Sequence, residues 1–84
     1  MYTVYALYSR KFDKIYVGMT TNLEQRFVSH NELSNKGWTK KFRPWEIIYK
    51  DEFSTKIEAL KREKELKSYK GREFIRKLIS GKIS

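Results

Sequence analysis

The 84-residue sequence contains no cysteine, so it forms neither a disulfide nor a thiolate metal site, and zinc-finger and disulfide-scaffold readings are excluded. No apolar run approaches the roughly 18 to 20 residues of a membrane span, and Met1 leads directly into a strand-like segment with no signal-peptide pattern. A cytoplasmic protein without a membrane partner is expected. Repeats, low-complexity tracts and linkers are also missing, and the length lies below the ~100 to 200 residues usual for one domain. A multidomain enzyme is therefore excluded, and residues 1–84 are expected to form one domain. Leu, Ile, Val and Phe make up 21 of the 84 residues, above the roughly 20% level below which highly charged chains stay disordered. Thirteen aromatic residues add large buried areas that a short chain needs to build a core.

The net charge of +9 favours a polyanionic partner, and it is unevenly placed. Residues 34–44 hold four basic and no acidic side chains, and residues 54–84 hold ten and four. The competing reading of this excess is a solvated lysine-rich surface.

Tyr2 to Tyr8 and Lys14 to Met19 are dense in β-branched and aromatic residues and flank a polar stretch, which predicts a hairpin. Thr21 and Glu24 have capping-box spacing, predicting a helix from about Asn22 to Leu33. Gly37 and Pro44 bracket a basic loop, and Trp45 to Phe53 reads as a third strand. A second capping box, Thr55 with Glu58, opens a helix to about Ser68, and Lys70-Gly71 separates it from a last helix. The expected order is β-β-α-β-α-α, an α/β domain with a three-stranded sheet.

Several residues sit where a plain core would not place them. At about 100° per residue, Ile57, Leu60, Ala59 and Leu66 define the apolar side of the second long helix, and Glu63 falls inside that stripe. An inward carboxylate is costly unless a cation, a metal or several donors meet it. Pairing with Lys67 one turn on is the bland reading; a hard divalent ion such as Mg²⁺ or Mn²⁺ is the functional one. In the first helix Arg26 and His30 share the flank beside Leu23 and Phe27. An arginine fork suits phosphate and a histidine exchanges protons near neutral pH, against a snorkelling Arg and a satisfied core His. Strand alternation puts Thr3, Tyr5 and Leu7 on one face of the first strand, Tyr16 lies on the second, and Gly18 marks a bulge or a close approach.

Together these residues resemble the GIY-YIG nuclease superfamily, in particular its small stand-alone members, related to the nuclease domains of bacterial excision-repair nucleases and of intron-encoded endonucleases. Thr3-Val4-Tyr5 stands where that family has Gly-Ile-Tyr and Tyr16-Val17-Gly18 where it has Tyr-Ile-Gly, with ten residues between the tyrosines. The run from Tyr16 to Asn31 continues the match and places Arg26 on the family's arginine and His30 on its His or Tyr position. Pro44 to Tyr49 resembles the strand after the basic loop, and Glu58 to Glu63 resembles the E-A-x-x-x-E segment whose second glutamate binds the metal. Thr3 replaces the first glycine, and Met19 stands where some members carry a lysine near the scissile phosphate. The family's DNA-recognition appendages have no counterpart in this chain, so little sequence specificity is expected, and with Trp38 this favours single-stranded or structure-dependent substrates.

The resemblance implies the GIY-YIG fold, with an antiparallel sheet flanked by helices. It also implies hydrolysis of a phosphodiester in nucleic acid, DNA more than RNA, with one Mg²⁺ or Mn²⁺ held by Glu63 as sole protein ligand. Tyr5 or Tyr16 would assist deprotonation of the attacking water, Arg26 would bind the phosphate, and His30 would hydrogen-bond a tyrosine or relay its proton. Lys36, Lys40, Lys41 and Arg43 would track the backbone, with Trp38 as a stacking platform. The alternatives are a non-catalytic nucleic-acid-binding module and a component of a repair complex whose protein partner supplies specificity.

Overall fold

A computed structural model of the chain describes residues 1–28 and 41–83, with the backbone alone at 82 and 83. The two β-branched and aromatic segments form the expected hairpin. Strand β1, Tyr2–Ser9, pairs antiparallel with β2, Lys14–Thr20, in a register that sets Tyr5 opposite Gly18 and Leu7 opposite Tyr16. Asp13 enters the turn at φ 53°, the left-handed region that Asp tolerates better than most residues. Strand β3, Glu46–Phe53, pairs antiparallel with the other side of β1, giving the order β2-β1-β3 and the expected three-stranded antiparallel sheet.

Because β1 is central, both of its faces are buried. Val4, Ala6 and Tyr8 face a core completed by Val17 and Ile48 and by two helices, α2 at Lys56–Lys67 and α3 at Tyr69–Ile83. (The first helix, α1, is Leu23–Val28.) Ala59 and Leu66 of α2 and Ile75 and Ile79 of α3 supply the helical half of that core. Full burial of a side chain such as Leu66 contributes about 1.5 to 3 kcal/mol. Tyr5 and Leu7 face the opposite side, where Trp45, Phe42, and Leu23 and Phe27 of α1 cover them. The expected extension of α1 to Leu33 lies outside the described residues.

The structure corrects three expectations about the helices. The cap of α1 is Asn22 rather than Thr21: its Oδ1 accepts from the Gln25 amide at 3.1 Å, while Thr20 Oγ1 accepts from the Asn22 amide at 3.1 Å and fixes the entry. The break between α2 and α3 falls at Ser68, whose amide closes on the Glu65 carbonyl at 3.1 Å and whose hydroxyl accepts from the Gly71 amide at 3.3 Å. Lys70 and Gly71 therefore belong to the first turn of α3, and the glycine is needed there for close approach to the end of α2. Ile57 is 80% exposed and Leu60 is also exposed, so the buried stripe of α2 centres on Ala59 and Leu66 alone. Half of the expected Thr55 box is present: the hydroxyl accepts from the Glu58 amide at 3.3 Å, while the Glu58 carboxylate accepts from that hydroxyl at 2.8 Å where the box has it on the Thr55 amide.

Candidate active site

An open cleft of about 410 Å³ lies along β2, an outer strand of the sheet. Side chains reach it from both faces. Tyr5 of β1, Tyr16 of β2 and Arg26 of α1 come from the side covered by α1, and Glu63 of α2 from the side covered by α2 and α3. Four of the five expected catalytic residues thus converge, from four different elements; the fifth, His30, lies outside the described residues.

Tyr5 is fully buried and its ring meets that of Tyr16 at a centroid separation of 6.1 Å and an angle of 36°. The Arg26 guanidinium and the Tyr16 hydroxyl are the polar groups that act on the Tyr5 phenol. A guanidinium only donates, so toward Arg26 the Tyr5 oxygen can act only as an acceptor. Burial, reinforced by the neighbouring Tyr16, pushes the Tyr5 phenol well above its ordinary range, although the Arg26 charge opposes the shift. Tyr5 is therefore a neutral donor. Tyr16 is less buried and rests edge-on against Trp45 at 6.4 Å. Gly18, directly across from Tyr5, leaves room for both rings.

Glu63 retains 21% side-chain exposure and lies 3.7 Å from Lys67 Nζ. The expected pairing with Lys67 is present, and Glu63 lines the cleft at the same time. As the single acid lining the cleft among the described residues, Glu63 offers one hard oxygen ligand. That donor set fits a divalent ion that completes its shell with water and phosphate oxygens, and does not fit a closed nitrogen and sulfur site.

Two cations at the cleft are not among the expected site residues: Arg72 of α3, and Lys67 of α2, which is expected only as the ion-pair partner of Glu63. Lys67 carried a signal, being four residues beyond Glu63 on the same helix. Arg72 carried one only once the helix break is moved to Ser68, which sets the phase of α3. Of the expected nucleic-acid contacts, Lys36, Trp38 and Lys40 lie outside the described residues; Lys41 is exposed, Arg43 is half-buried, and neither lines the cleft.

The family described as GIY-YIG catalytic domain matches residues 1–77. A UPF0213 protein of Staphylococcus haemolyticus is 41% identical over 59 residues, which cover 70% of this chain and 72% of that protein. A UPF0213 protein of Staphylococcus saprophyticus is 39% identical over 70 residues, covering 83% and 84%. Another, from Staphylococcus epidermidis, is 34% identical over 67 residues, covering 80% and 82%. With two tyrosines, an arginine and a glutamate gathered around β2 and the match running through nearly the whole sequence, the chain belongs to the GIY-YIG catalytic domain family, a nuclease superfamily.

Proposed function

We propose that the protein is a metal-dependent endonuclease that hydrolyses phosphodiester bonds in nucleic acid, DNA in preference to RNA, with little sequence specificity of its own. The observation that carries this reading is the meeting of Tyr5, Tyr16, Arg26 and Glu63 in one cleft. A protein that only binds a polyanion gains nothing from directing a carboxylate into its own basic surface.

In this reading Tyr16, the less buried tyrosine, gives its own proton to solvent and as the phenolate takes up the proton of the attacking water, becoming neutral again. The neutral Tyr5 hydroxyl beside it stabilises the negative charge that Tyr16 carries before that transfer and loses in it, and Arg26 lies next to Tyr5. Arg26 also offers its remaining donors to the phosphate, for which a planar fork is suited. Glu63 would hold a single Mg²⁺ or Mn²⁺, which when bound polarises the phosphate and offsets charge on the leaving oxygen. Lys67, whose ammonium lies 3.7 Å from the Glu63 carboxylate, adds a cation at the same side of the cleft.

The test is cleavage of end-labelled single-stranded, duplex and branched DNA and of RNA with Mg²⁺, Mn²⁺ or EDTA, by the protein and its Arg26→Ala and Glu63→Gln variants. Loss of about a hundredfold or more is expected for each variant. In parallel, Mg²⁺ should raise the melting temperature of the wild type and leave that of Glu63→Gln unchanged. Folded variants that cleave as well as the wild type would overturn the assignment.

A further inference from the structure

The first turn of α3 places an aromatic ring where packing does not require one. Tyr69 is 77% exposed, directly after the break at Ser68 that turns the chain away from α2. Three residues on, and so on the same side of the helix, stands Arg72. Arg72 lines the catalytic cleft, and it also lines a second, shallower groove of about 590 Å³ with Tyr69, Glu73, Arg76 and Lys77. The two depressions therefore share Arg72 as a common wall.

The charges around Tyr69 are not equivalent. Arg76 is engaged by Asp13 of the hairpin turn, and Glu73 offsets part of the positive field. Arg72 and Lys77 form no ion pair among the described residues. An exposed ring flanked by unpaired cations and opening onto a phosphodiesterase-like cleft has the composition of a surface for an unpaired strand: the ring stacks on a base and the cations follow the backbone. A duplex presents no such base, because its bases are already stacked on one another.

We propose that Tyr69, Arg72 and Lys77 form a track that holds single-stranded nucleic acid as it leaves the cleft, with Arg72 on the phosphate next to the reacting one and Tyr69 stacked on the adjoining base. The proposal rests on the nuclease reading of the cleft. It moves the main substrate contact from the basic segment 34–44 to the C-terminal helix.

The test is fluorescence anisotropy in EDTA, with a labelled single strand of about 15 nucleotides and the matching duplex, across a salt series. The proteins are the wild type and the variants Tyr69→Ala, Tyr69→Phe and Arg72→Ala. Tyr69→Ala should weaken single-strand binding roughly tenfold and change duplex binding less than about twofold, and Tyr69→Phe should bind like the wild type. Arg72→Ala should reduce the slope of log affinity against log salt by about 0.7, the loss of one phosphate contact to a single strand. Unchanged single-strand affinity in Tyr69→Ala, or equal losses on single strand and duplex, would overturn the track. Since binding is measured without a divalent ion, absence of cleavage in the earlier experiment fails the nuclease reading alone. Intact cleavage with unchanged Tyr69→Ala binding fails the track alone.

Discussion

The Tyr5 hydroxyl occupies the space into which a side chain at Gly18 would project: a Cβ there would lie 2.7 Å from the Tyr5 oxygen and 3.0 Å from Cε1 of Tyr16. The glycine is thus a steric condition of the tyrosine pair. Its φ is not in the left-handed region, so the constraint comes from space and not from backbone conformation.

Replacing Gly18 by alanine should cost about 1 to 3 kcal/mol of stability, as overpacking does, and should displace Tyr5 from Arg26 with a loss of cleavage. Adding Tyr5→Phe removes the closest atom, so the double variant should recover part of the stability and none of the cleavage. Urea denaturation of the single and double variants measures this, and a Gly18→Ala protein as stable as the wild type would refute the relationship.

Tyr5 should be among the last of the six tyrosines to ionise. Its folded pKa is raised, first by burial and then by Tyr16, so its contribution to stability is complete below the unfolded value of about 10 and is lost as pH rises through the folded value. An ultraviolet absorbance titration should therefore show Tyr5→Phe lacking amplitude only at the alkaline end. Amplitude missing at the ordinary phenol range would contradict the buried placement.

A glycine inside a helix usually gives about 1 kcal/mol on replacement by alanine, and at Gly71 the sign should reverse. A Cβ there would sit 2.2 Å from the Glu65 carbonyl oxygen and 2.4 Å from the Leu66 Cα, both backbone atoms that cannot rotate away. Gly71→Ala should lower stability by about 3 kcal/mol, the upper end for overpacking. Thermal denaturation decides the sign, and a stabilised variant would mean that α3 does not dock on α2 as described.

Asp13 ties α3 to the hairpin turn, accepting from Arg76 and, at 2.9 Å, from the Tyr8 hydroxyl. The Arg76 contact, followed by the Tyr8 hydrogen bond, holds its carboxyl below the usual range. The stabilisation is thus present above the unfolded pKa of about 3.9 and disappears as pH falls through the lower folded value. Between those values the melting temperature of the wild type should fall more steeply with acid than that of Asp13→Asn. The pair is solvent-exposed, so the difference should be small and should shrink in high salt.

Much of this architecture is legible in the residues because short-range patterns encode it. Alternation in Tyr2 to Tyr8 separates Val4, Ala6 and Tyr8 from Tyr5 and Leu7, and the structure buries the two sets in different cores. Thr55 caps α2, and Glu63 turns toward the cleft as its helical phase requires. What the pattern hides depends on contacts between distant elements. Ile57 looks like core, yet it lies beyond the edge of the packed stripe. Asn22 and Thr21 compete for one cap, and the Thr20 hydroxyl decides between them through tertiary placement of β2. Gly71 reads as a helix breaker, whereas its missing Cβ serves the contact between two helices, and the resulting shift in phase concealed Arg72.

The cleft draws on side chains from Tyr5 to Arg72. A growing polypeptide therefore carries its tyrosine pair long before the acid and the α3 arginine have been synthesised. No early folding unit, such as the β1–β2 hairpin, contains the full constellation. Assembly of the cleft is coupled to docking of the helices on the completed sheet, so no segment shorter than the run from β1 to α3 brings its lining together.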